Sequence, residues 1–294
     1  MISKLLTAPV SASHARHDHL QKVAVHLGLV QETLLVPLWA RAMECLEDSP
    51  ILEDQKSRHI MEALDYDFSI LNKATASQVG CCVRGNLCDS CVRGFLNKHP
   101  DGTVIELGCG LNSRFERVDN GHVNWIDIDL PDTMQLRRRF FDSHKRVTGL
   151  ALDLRDHDWI DALPTTSGPV FVVSEGVLVY LDTSTVKRIF AALSERFSGC
   201  QIVFDTMTKL VKNNQKSHDA MRFFPAPFNW IVKKPHDVEA WSDQYKITKS
   251  ENFFDMLFTQ RPRLPFAMRT LGPIAGRLLP FLRNSYHINR MKMG

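Results

Sequence analysis

A glycine-rich turn follows an apolar run in the segment VIELGCGLNSR. Gly108 and Gly110 let the backbone turn sharply, and they allow a ligand to approach the main chain and meet amide N–H donors. The pattern is not a complete dinucleotide fingerprint, because Ser113 takes the place of the third glycine. The turn therefore indicates a nucleotide-like ligand without choosing among the ligands that such turns bind.

Acidic residues close the apolar runs that follow this turn. Asp127 and Asp129 end VNWIDIDLP, where a carboxylate can accept hydrogen bonds from ribose hydroxyls or simply form a polar strand end. Asp153 in LALDLRD, with the Leu154 amide, could pair with an adenine ring, or Asp153 could cap a short turn. Glu175 follows PVFVVS. Because neighbouring parallel strands end at one crevice, we expect these groups to line a single site.

A sheet must bring these residues together, and the pattern of apolar and polar residues along the chain predicts one. From Thr103, short apolar runs alternate with segments of helical spacing, LRRRFFDSHK and TSTVKRIFAALSERF, with Thr183 or Ser184 as the N-cap of the second. The runs predicted as strands are TVIELGCG, VNWIDIDLP, RVTGLALDLRD, PVFVVSEGVLVYL and CQIVFDTM, with YKITKSENFFDMLF and SYHINRMKM as late additions. The predicted fold class is α/β, with a doubly wound, mostly parallel, Rossmann-like sheet.

The rest of the chain is predicted to cover this sheet. Helical spacing before about residue 100 indicates an N-terminal helical cap (residues 1–100) that is not an independent domain, followed by the core (residues 101–294). Polar turns, aromatic residues and prolines indicate a lid insertion at about residues 208–240. The later run RPRLPFAMRTLGPIAGRLLPFLRN has five arginines and no acid, so it could be an amphipathic helix at a membrane or anionic partner. Its prolines favour a helix or loop lying on the sheet.

Composition limits the function classes. Of the 294 residues, 44% are apolar and 23% are charged, which is typical of a globular protein, and the net charge of +3 is too small to mark a nucleic-acid binder. No apolar run reaches the length of a membrane span. We therefore expect a cytoplasmic protein with neither nucleic acid nor membrane as a partner. The first 20 residues lack the apolar centre of a secretory signal, so a cytoplasmic leader or flexible arm is expected there.

The cysteines are predicted to be reduced and structural. Seven is an odd number, and a chain with a large core needs no disulfide frame. Cys88 and Cys91, with Cys81 and Cys82 just upstream, give half the spacing of a zinc site, but no second pair follows. The segment also has helical spacing, so packing is favoured and no metal is predicted.

The residues described resemble the leucine carboxyl methyltransferase family of class I S-adenosylmethionine-dependent methyltransferases, in particular bacterial polyketide O-methyltransferases of the tetracenomycin type. The resemblance covers most of the chain, from TLLVPLWARAMEC to HDAMRFF. Its most specific part is ELGCG-x-x-x-R-F-x-R followed by D-x-D-L-P. It implies a class I methyltransferase fold, S-adenosyl-L-methionine as the cofactor and S-adenosyl-L-homocysteine as the product.

The resemblance also implies roles for single residues. Arg84 would bind the methionine carboxylate, and Glu175 would face the methionine amino group or the sulfonium. The remaining assignments are Gly108 and Gly110 against the cofactor backbone, Asp129 on the ribose with Asp127 as the alternative, Asp153 and Leu154 on the adenine, and Tyr180 near the transferred methyl group. Tyr180 could equally be a core aromatic residue.

The predicted methyl acceptor is an oxygen of a small molecule: a phenol, a hydroxyl or a carboxylate, for example of a polyketide-like or other secondary metabolite. The run FFPAPFNWIVKK would form a mostly apolar lid that suits a flat molecule better than an acidic peptide. His218 is the candidate general base, with a solvated surface histidine as the alternative. Other functions considered are carboxyl methylation of a protein C-terminus, a nicotinamide oxidoreductase, a non-catalytic cofactor-binding module and a zinc-stapled interaction domain. The sequence does not indicate the oligomeric state.

Overall fold

A computed structural model of the protein describes residues 22–166 and 168–294, so the predicted leader lies outside the described residues. The N-terminal part is helical, as its spacing predicts. Its elements are β1 (Val23–Ala24), α1 (Leu35–Glu44), α2 (Gln55–Ala63), β2 (Leu64–Asp65) and α3 (Thr75–Leu96). Val36 and Trp39 of α1 belong to the same apolar cluster as Met207 and Phe228 of the C-terminal half. The helical cap therefore shares a hydrophobic core with the rest of the molecule.

The central part alternates strands with helices, and every strand predicted there is present. The elements are β3 (Thr103–Leu107), α4 (Arg114–Val118), β4 (Asn124–Asp129), α5 (Pro131–Arg137), β5 (Val147–Ala151), β6 (Val170–Ser174), α6 (Thr183–Arg196) and β7 (Gln201–Met207). All residues of β3 and β6 are buried, because helices cover both faces of the sheet centre.

The C-terminal part completes the sheet. Its elements are α7 (Lys209–Asn213), β8 (Tyr245–Asn252), α8 (Phe253–Phe258), α9 (Phe266–Leu278), α10 (Pro280–Arg283) and β9 (Tyr286–Met293). The seven strands run in the order β5-β4-β3-β6-β7-β9-β8, and β9 is antiparallel to both of its neighbours. This confirms the predicted doubly wound, mostly parallel α/β fold. The order of the strands reverses between β3 and β6, so the ligand crevice is expected at their carboxyl ends.

Three local predictions were wrong. The segment FFDMLF is not strand: β8 stops at Asn252, whose side chain accepts a hydrogen bond from the Asp255 amide and starts α8. The helix placed on LRRRFFDSHK begins earlier, with Pro131 in its first turn, and ends at Arg137. Neither Thr183 nor Ser184 caps α6, because Asp182 accepts the Thr185 amide at 2.9 Å.

α9 is longer than its prolines suggested. Pro273 lies inside the helix and has no N–H to donate to the carbonyl of Arg269, four residues earlier. The Arg261 Nε donates to that carbonyl at 3.0 Å, so the acceptor is not left without a partner. Within the described residues, we find no helix with both the length and the apolar character needed to cross a membrane.

The cysteines of α3 pack in different places. Cys88 and Cys91 lie in the apolar cluster between α3 and the sheet, whereas Cys82 lies in the cluster that contains α1. Cys81 is only half-buried. In the described part of the chain, no three His, Cys, Asp or Glu residues are grouped as metal ligands. Packing therefore accounts for the buried cysteines of α3.

Candidate active site

One cavity of about 940 Å³ opens at the carboxyl ends of β3, β4, β5 and β6. Nine of the ten candidate site residues line it: Arg84, Gly108, Gly110, Asp129, Asp153, Leu154, Glu175, Tyr180 and His218. The tenth, Asp127, does not. Charged residues concentrate where the strands end, and apolar side chains cover the opposite side, so one pocket joins a polar end to an apolar end.

Asp127 serves the interior of the protein. Its buried carboxylate accepts hydrogen bonds from Arg137 at 2.7 Å and from the Trp125 indole N–H at 2.8 Å. Arg137 also donates to the carbonyls of Gly110 and Asn112. The two acids of D-x-D-L-P are two residues apart, so their side chains lie on the same face of β4. They differ in depth, because Asp129 is the last residue of the strand and Asp127 lies two residues before its carboxyl end. Asp127 thus supports the glycine turn through Arg137, and of the two acids only Asp129 lines the cavity.

The glycine turn is bonded to the protein rather than open to a ligand. The amides of Gly108 and Cys109 both donate to the Ile128 carbonyl, at 2.8 and 3.0 Å. Gly108 has a φ of 66°, and a Cβ on it would lie 2.3 Å from Cγ2 of Val177, so this position requires glycine. The turn was predicted to offer amide donors to a ligand, but these two amides are occupied. Gly108 instead allows the close approach of Val177, which follows β6.

Asp129 joins β4 to the turn. One carboxylate oxygen accepts the Gly110 amide at 2.8 Å and the other accepts the Leu130 amide at 2.7 Å. Burial raises the pKa of this carboxyl group above its ordinary value, although the hydrogen bonds from the two amides oppose the shift. Each oxygen keeps a second lone pair, so the carboxylate can still accept hydrogen bonds from a ligand in the cavity.

Asp153 and Leu154 follow β5. The Asp153 carboxylate accepts the Arg155 amide and the Arg155 Nε, both at 2.9 Å, so the turn-capping interpretation of Asp153 is observed directly. The ion pair lowers the pKa of Asp153. Leu154 is buried in the main core and also borders the cavity. Together they form the cavity wall beside Asp129.

Arg84 of α3 reaches the cavity across the end of β6. Its Nε donates to Glu175 at 3.0 Å and its Nη1 donates to the Tyr286 hydroxyl at 3.0 Å. The Tyr286 hydroxyl also hydrogen-bonds Asp205 of β7, so residues that belong to or follow three neighbouring strands, β6, β7 and β9, hold the guanidinium. Within the described residues, the Arg84 Nη2 has no hydrogen-bond partner. It is a positioned cation with a free donor.

Glu175 lies between two arginines. One oxygen pairs with Arg84 and the other pairs with the fully buried Arg114. Burial raises the pKa of this carboxyl group, but the charges of Arg84 and Arg114 lower it to about 2, so it is ionised at neutral pH. The carboxylate therefore has two roles: it holds Arg84 in position, and it lines the cavity.

Sequence reasoning missed the buried network behind this pair. Arg114 also binds Asp89 of α3 at 2.8 Å, and Asp89 binds Arg117 at 2.7 Å. Arg41 of α1 binds Asp54 at 2.8 Å and donates to the Leu111 carbonyl beyond the glycine turn at 3.1 Å. Both arginines of R-F-x-R thus tie the helical cap to the sheet. The only sequence signal for Arg114 and Arg117 was their position in ELGCG-x-x-x-R-F-x-R, the most specific part of the family resemblance.

Tyr180 stands where the polar end meets the apolar end. Its ring packs on Phe228, with ring centroids 5.5 Å apart. Burial raises the pKa of Tyr180 to about 12, so its hydroxyl is neutral and can donate a hydrogen bond at neutral pH. The half-buried side chain serves both as part of an apolar cluster and as a wall of the cavity.

His218 lies at the cavity mouth with 42% of its side chain exposed. Its Nδ1 accepts the amides of Ala220 and Met221, at 3.3 and 3.2 Å. Partial burial lowers its pKa despite the Asp219 carboxylate nearby. A neutral ring with Nδ1 as the acceptor carries its proton on Nε2, so that nitrogen can donate a hydrogen bond but cannot take up a proton.

Two segments build the apolar end of the cavity. From the lid segment (residues 208–240) come Val211, Met221 and Phe228, and Asp219 fastens this segment to α3 by accepting the Ser77 amide at 3.1 Å. The second segment (residues 253–283), between β8 and β9, was not predicted as part of the site. It contributes Phe253, Phe254, Leu257, Pro265, Met268 and Leu282.

Comparison with known proteins agrees with this architecture. The family model described as leucine carboxyl methyltransferase matches residues 35–194. A tetracenomycin polyketide synthesis O-methyltransferase of Streptomyces glaucescens is 30% identical over 217 residues, which are 74% of this chain and 80% of that protein. An S-adenosyl-L-methionine-dependent methyltransferase of Gibberella zeae is 30% identical over 242 residues, which are 75% of this chain and 81% of that protein.

A solved structure of a duf574 family protein from Streptomyces avermitilis shares the fold. It is 10% identical, covers 87% of this chain and 97% of its own, and superposes with a TM-score of 0.53. The family match spans more than half of the chain and includes the strand ends that line the cavity. The chain therefore belongs to the leucine carboxyl methyltransferase family and is an S-adenosylmethionine-dependent methyltransferase.

Proposed function

We propose that the protein transfers the methyl group to an oxygen atom of a small, largely apolar molecule. The observation that carries the proposal is the continuity of the cavity, in which charged strand ends on one side meet an apolar wall on the other. Such a pocket can hold a polar cofactor and an apolar acceptor side by side. The O-methyltransferase named among the relatives supports oxygen as the atom methylated.

The polar end fits the chemical groups of the cofactor. Asp129 offers carboxylate lone pairs to ribose hydroxyls, and the wall at Asp153 and Leu154 suits the adenine. The free Nη2 of Arg84 can donate to the methionine carboxylate. Glu175 can accept a hydrogen bond from the methionine amino group through a second lone pair of its carboxylate. In this proposal Gly108 and Gly110 shape the floor of the site, and Asp127 supports it from behind.

The reaction depends mainly on alignment. S-adenosylmethionine supplies a methyl group on a sulfonium, and the protein must place the acceptor oxygen in line with it and keep water away. An apolar wall next to Arg84 is formed by Tyr180, Phe228 and Met221. The second segment (residues 253–283), which carries α8 and α9, covers the other side. The lid segment thus acts by excluding water and by selecting the shape of the acceptor.

The side chains nearest the proposed acceptor are hydrogen-bond donors. Tyr180 is neutral, and the His218 ring can present an N–H. Donors stabilise an oxygen that already carries negative charge, which favours a phenolate or a carboxylate over an alcohol. We therefore propose that His218 orients the acceptor, in place of the general-base role expected from the sequence. A carboxylate needs no base, and a phenol of lowered pKa needs little help.

Radiolabelled methyl transfer tests this function. The protein, with methyl-tritiated S-adenosylmethionine, is offered polycyclic phenols, matched polycyclic carboxylic acids and a peptide with a free C-terminal carboxylate. Alkali releases volatile methanol from a methyl ester but leaves an aryl ether intact, so the label itself identifies the oxygen. We expect label on a small-molecule acceptor, and much less with Asp129→Ala. Label on the peptide alone, or on an amine, would contradict the proposal.

A further inference from the structure

The outward side of α9 carries an apolar stripe that the fold leaves uncovered. Of the ten large hydrophobic residues exposed in the described chain, six lie between Phe266 and Phe281. Leu271, Ile274 and Leu278 are 64%, 57% and 70% exposed and are spaced three and four residues apart, so they share one helix face. Phe266 and Phe281 extend the apolar surface at its two ends.

The opposite face of α9 already provides the packing of the helix. Met268 lines the cavity, and a Cβ on Gly272 or Gly276 would lie 2.2 Å from the Phe258 ring or 2.6 Å from the Phe254 ring. These two glycines let α9 lie directly on α8. The outer stripe is therefore not needed to hold the helix in place, and a contiguous exposed apolar patch marks a contact surface.

The charge around this stripe is positive. Residues 261–283 contain five arginines and no acidic residue. Arg263 pairs with Glu44, and Arg283 pairs with Asp255. Within the described residues, Arg269 and Arg277 have no carboxylate partner; Arg277 is exposed immediately before Leu278, and Arg269 lies over the Phe266 ring. Exposed apolar residues flanked by unpaired arginines match an anionic surface with an apolar interior.

We propose that the α9 surface (Phe266, Arg269, Leu271, Ile274, Arg277, Leu278 and Phe281) binds the face of a bilayer that contains anionic phospholipid. A symmetric contact between two copies would bring the same arginines together and oppose association. Pro265 and Met268 line the cavity from the same segment, so docking would place the acceptor end of the cavity near the lipid. Methyl acceptors that dissolve poorly in water concentrate in lipid, so docking would let them enter the cavity directly from the bilayer.

Vesicle flotation tests the proposal with the full chain. We expect the protein to float with phosphatidylcholine vesicles that contain phosphatidylglycerol and not with pure phosphatidylcholine vesicles, and added salt should weaken the binding. Replacing both leucines, Leu271→Gln with Leu278→Gln, should lower the partition coefficient about tenfold. Arg277→Gln should weaken binding to anionic vesicles. The matched controls are Leu46→Gln and Arg139→Gln, which alter exposed residues elsewhere.

Affinity for S-adenosylhomocysteine, measured on each variant, shows that the fold is intact, because Leu271, Leu278 and Arg277 do not line the cavity. Three results would overturn the proposal. The first is no flotation with anionic vesicles, and the second is equal flotation of the double leucine variant. The third is a concentration-dependent dimer that the leucine variant dissociates, because the stripe would then belong to a second copy of the chain.

Discussion

The most informative single change is Arg84→Lys, because it keeps the positive charge and removes the fork. Arg84 already uses Nε on Glu175 and Nη1 on Tyr286, each at 3.0 Å, and keeps Nη2 for the cavity. Lysine has one nitrogen on a flexible stem, so it cannot hold Glu175, Tyr286 and a ligand carboxylate in one plane. The substitution therefore separates directed hydrogen bonding from charge alone.

The size of the effect follows from the bonds lost. A hydrogen bond to a charged group contributes about 1.5–3 kcal/mol, and lysine retains the Coulomb attraction. Loss of one directed bond at about 2 kcal/mol weakens binding about 30-fold. Stability should also fall, since the Tyr286 hydroxyl and the Glu175 carboxylate each lose a partner in a mostly buried setting.

Calorimetric titration with S-adenosylhomocysteine measures this effect without an acceptor. The matched control is Arg58→Lys, which changes an ion-paired arginine on the exposed side of α2, where such pairs contribute little. We expect the control to bind like the unmodified protein. If Arg84→Lys folds and binds S-adenosylhomocysteine within twofold of the unmodified protein, Arg84 does not hold the cofactor and the reasoning about its free Nη2 is refuted.

Three further predictions concern the turn, the buried charges and the acceptor end. Gly108→Ala should lower the free energy of unfolding in urea by about 3 kcal/mol, and Val177→Ala in the same chain should restore part of it, because the new Cβ meets Val177; an unchanged midpoint would contradict the turn geometry. The pKa of Glu175 is lowered to about 2, so its ion pairs stabilise the fold above its ordinary pKa, and this contribution of about 3 kcal/mol is lost as pH falls from about 4.5 towards 2. In Glu175→Gln, the free energy of unfolding should therefore depend less on pH below about pH 5 than in the unmodified protein. If the free energy of unfolding falls equally with pH in both proteins, the ion pairs of Glu175 with Arg84 and Arg114 do not stabilise the fold. Tyr180→Phe should lower kcat about tenfold and leave S-adenosylhomocysteine affinity unchanged; an equal loss in both quantities would place Tyr180 on the cofactor instead.

The sheet and the polar end of the site were predictable because their signals are local. Buried parallel strands appear as apolar runs, and the residue that ends each run must lie at the shared crevice. Asp129, Asp153 and Glu175 were found this way and line one cavity with Gly108. Arg84 has no such signal, since it lies in a helix before the sheet, and only the family resemblance pointed to it.

The remaining features depend on contacts that sequence spacing does not contain. Asp127 and Asp129 share one face of β4, and spacing alone does not show that Asp127, inside the strand, pairs with Arg137 whereas Asp129, at the strand end, lines the cavity. The second covering segment was missed because FFDMLF has both strand-like composition and helical spacing. α9 continues through Pro273, and the Arg269 carbonyl that the proline cannot serve accepts a hydrogen bond from Arg261, which lies outside the helix.

A crystal structure of the protein with S-adenosylhomocysteine tests the central claim most directly. We predict the ribose hydroxyls within hydrogen-bond distance of Asp129, the adenine against Asp153 and Leu154, and the amino-acid carboxylate on the Nη2 of Arg84. The sulfur should face the apolar end of the cavity between Tyr180 and the lid segment. A ligand bound in the reverse direction, or outside this cavity, would contradict the assignment of the site.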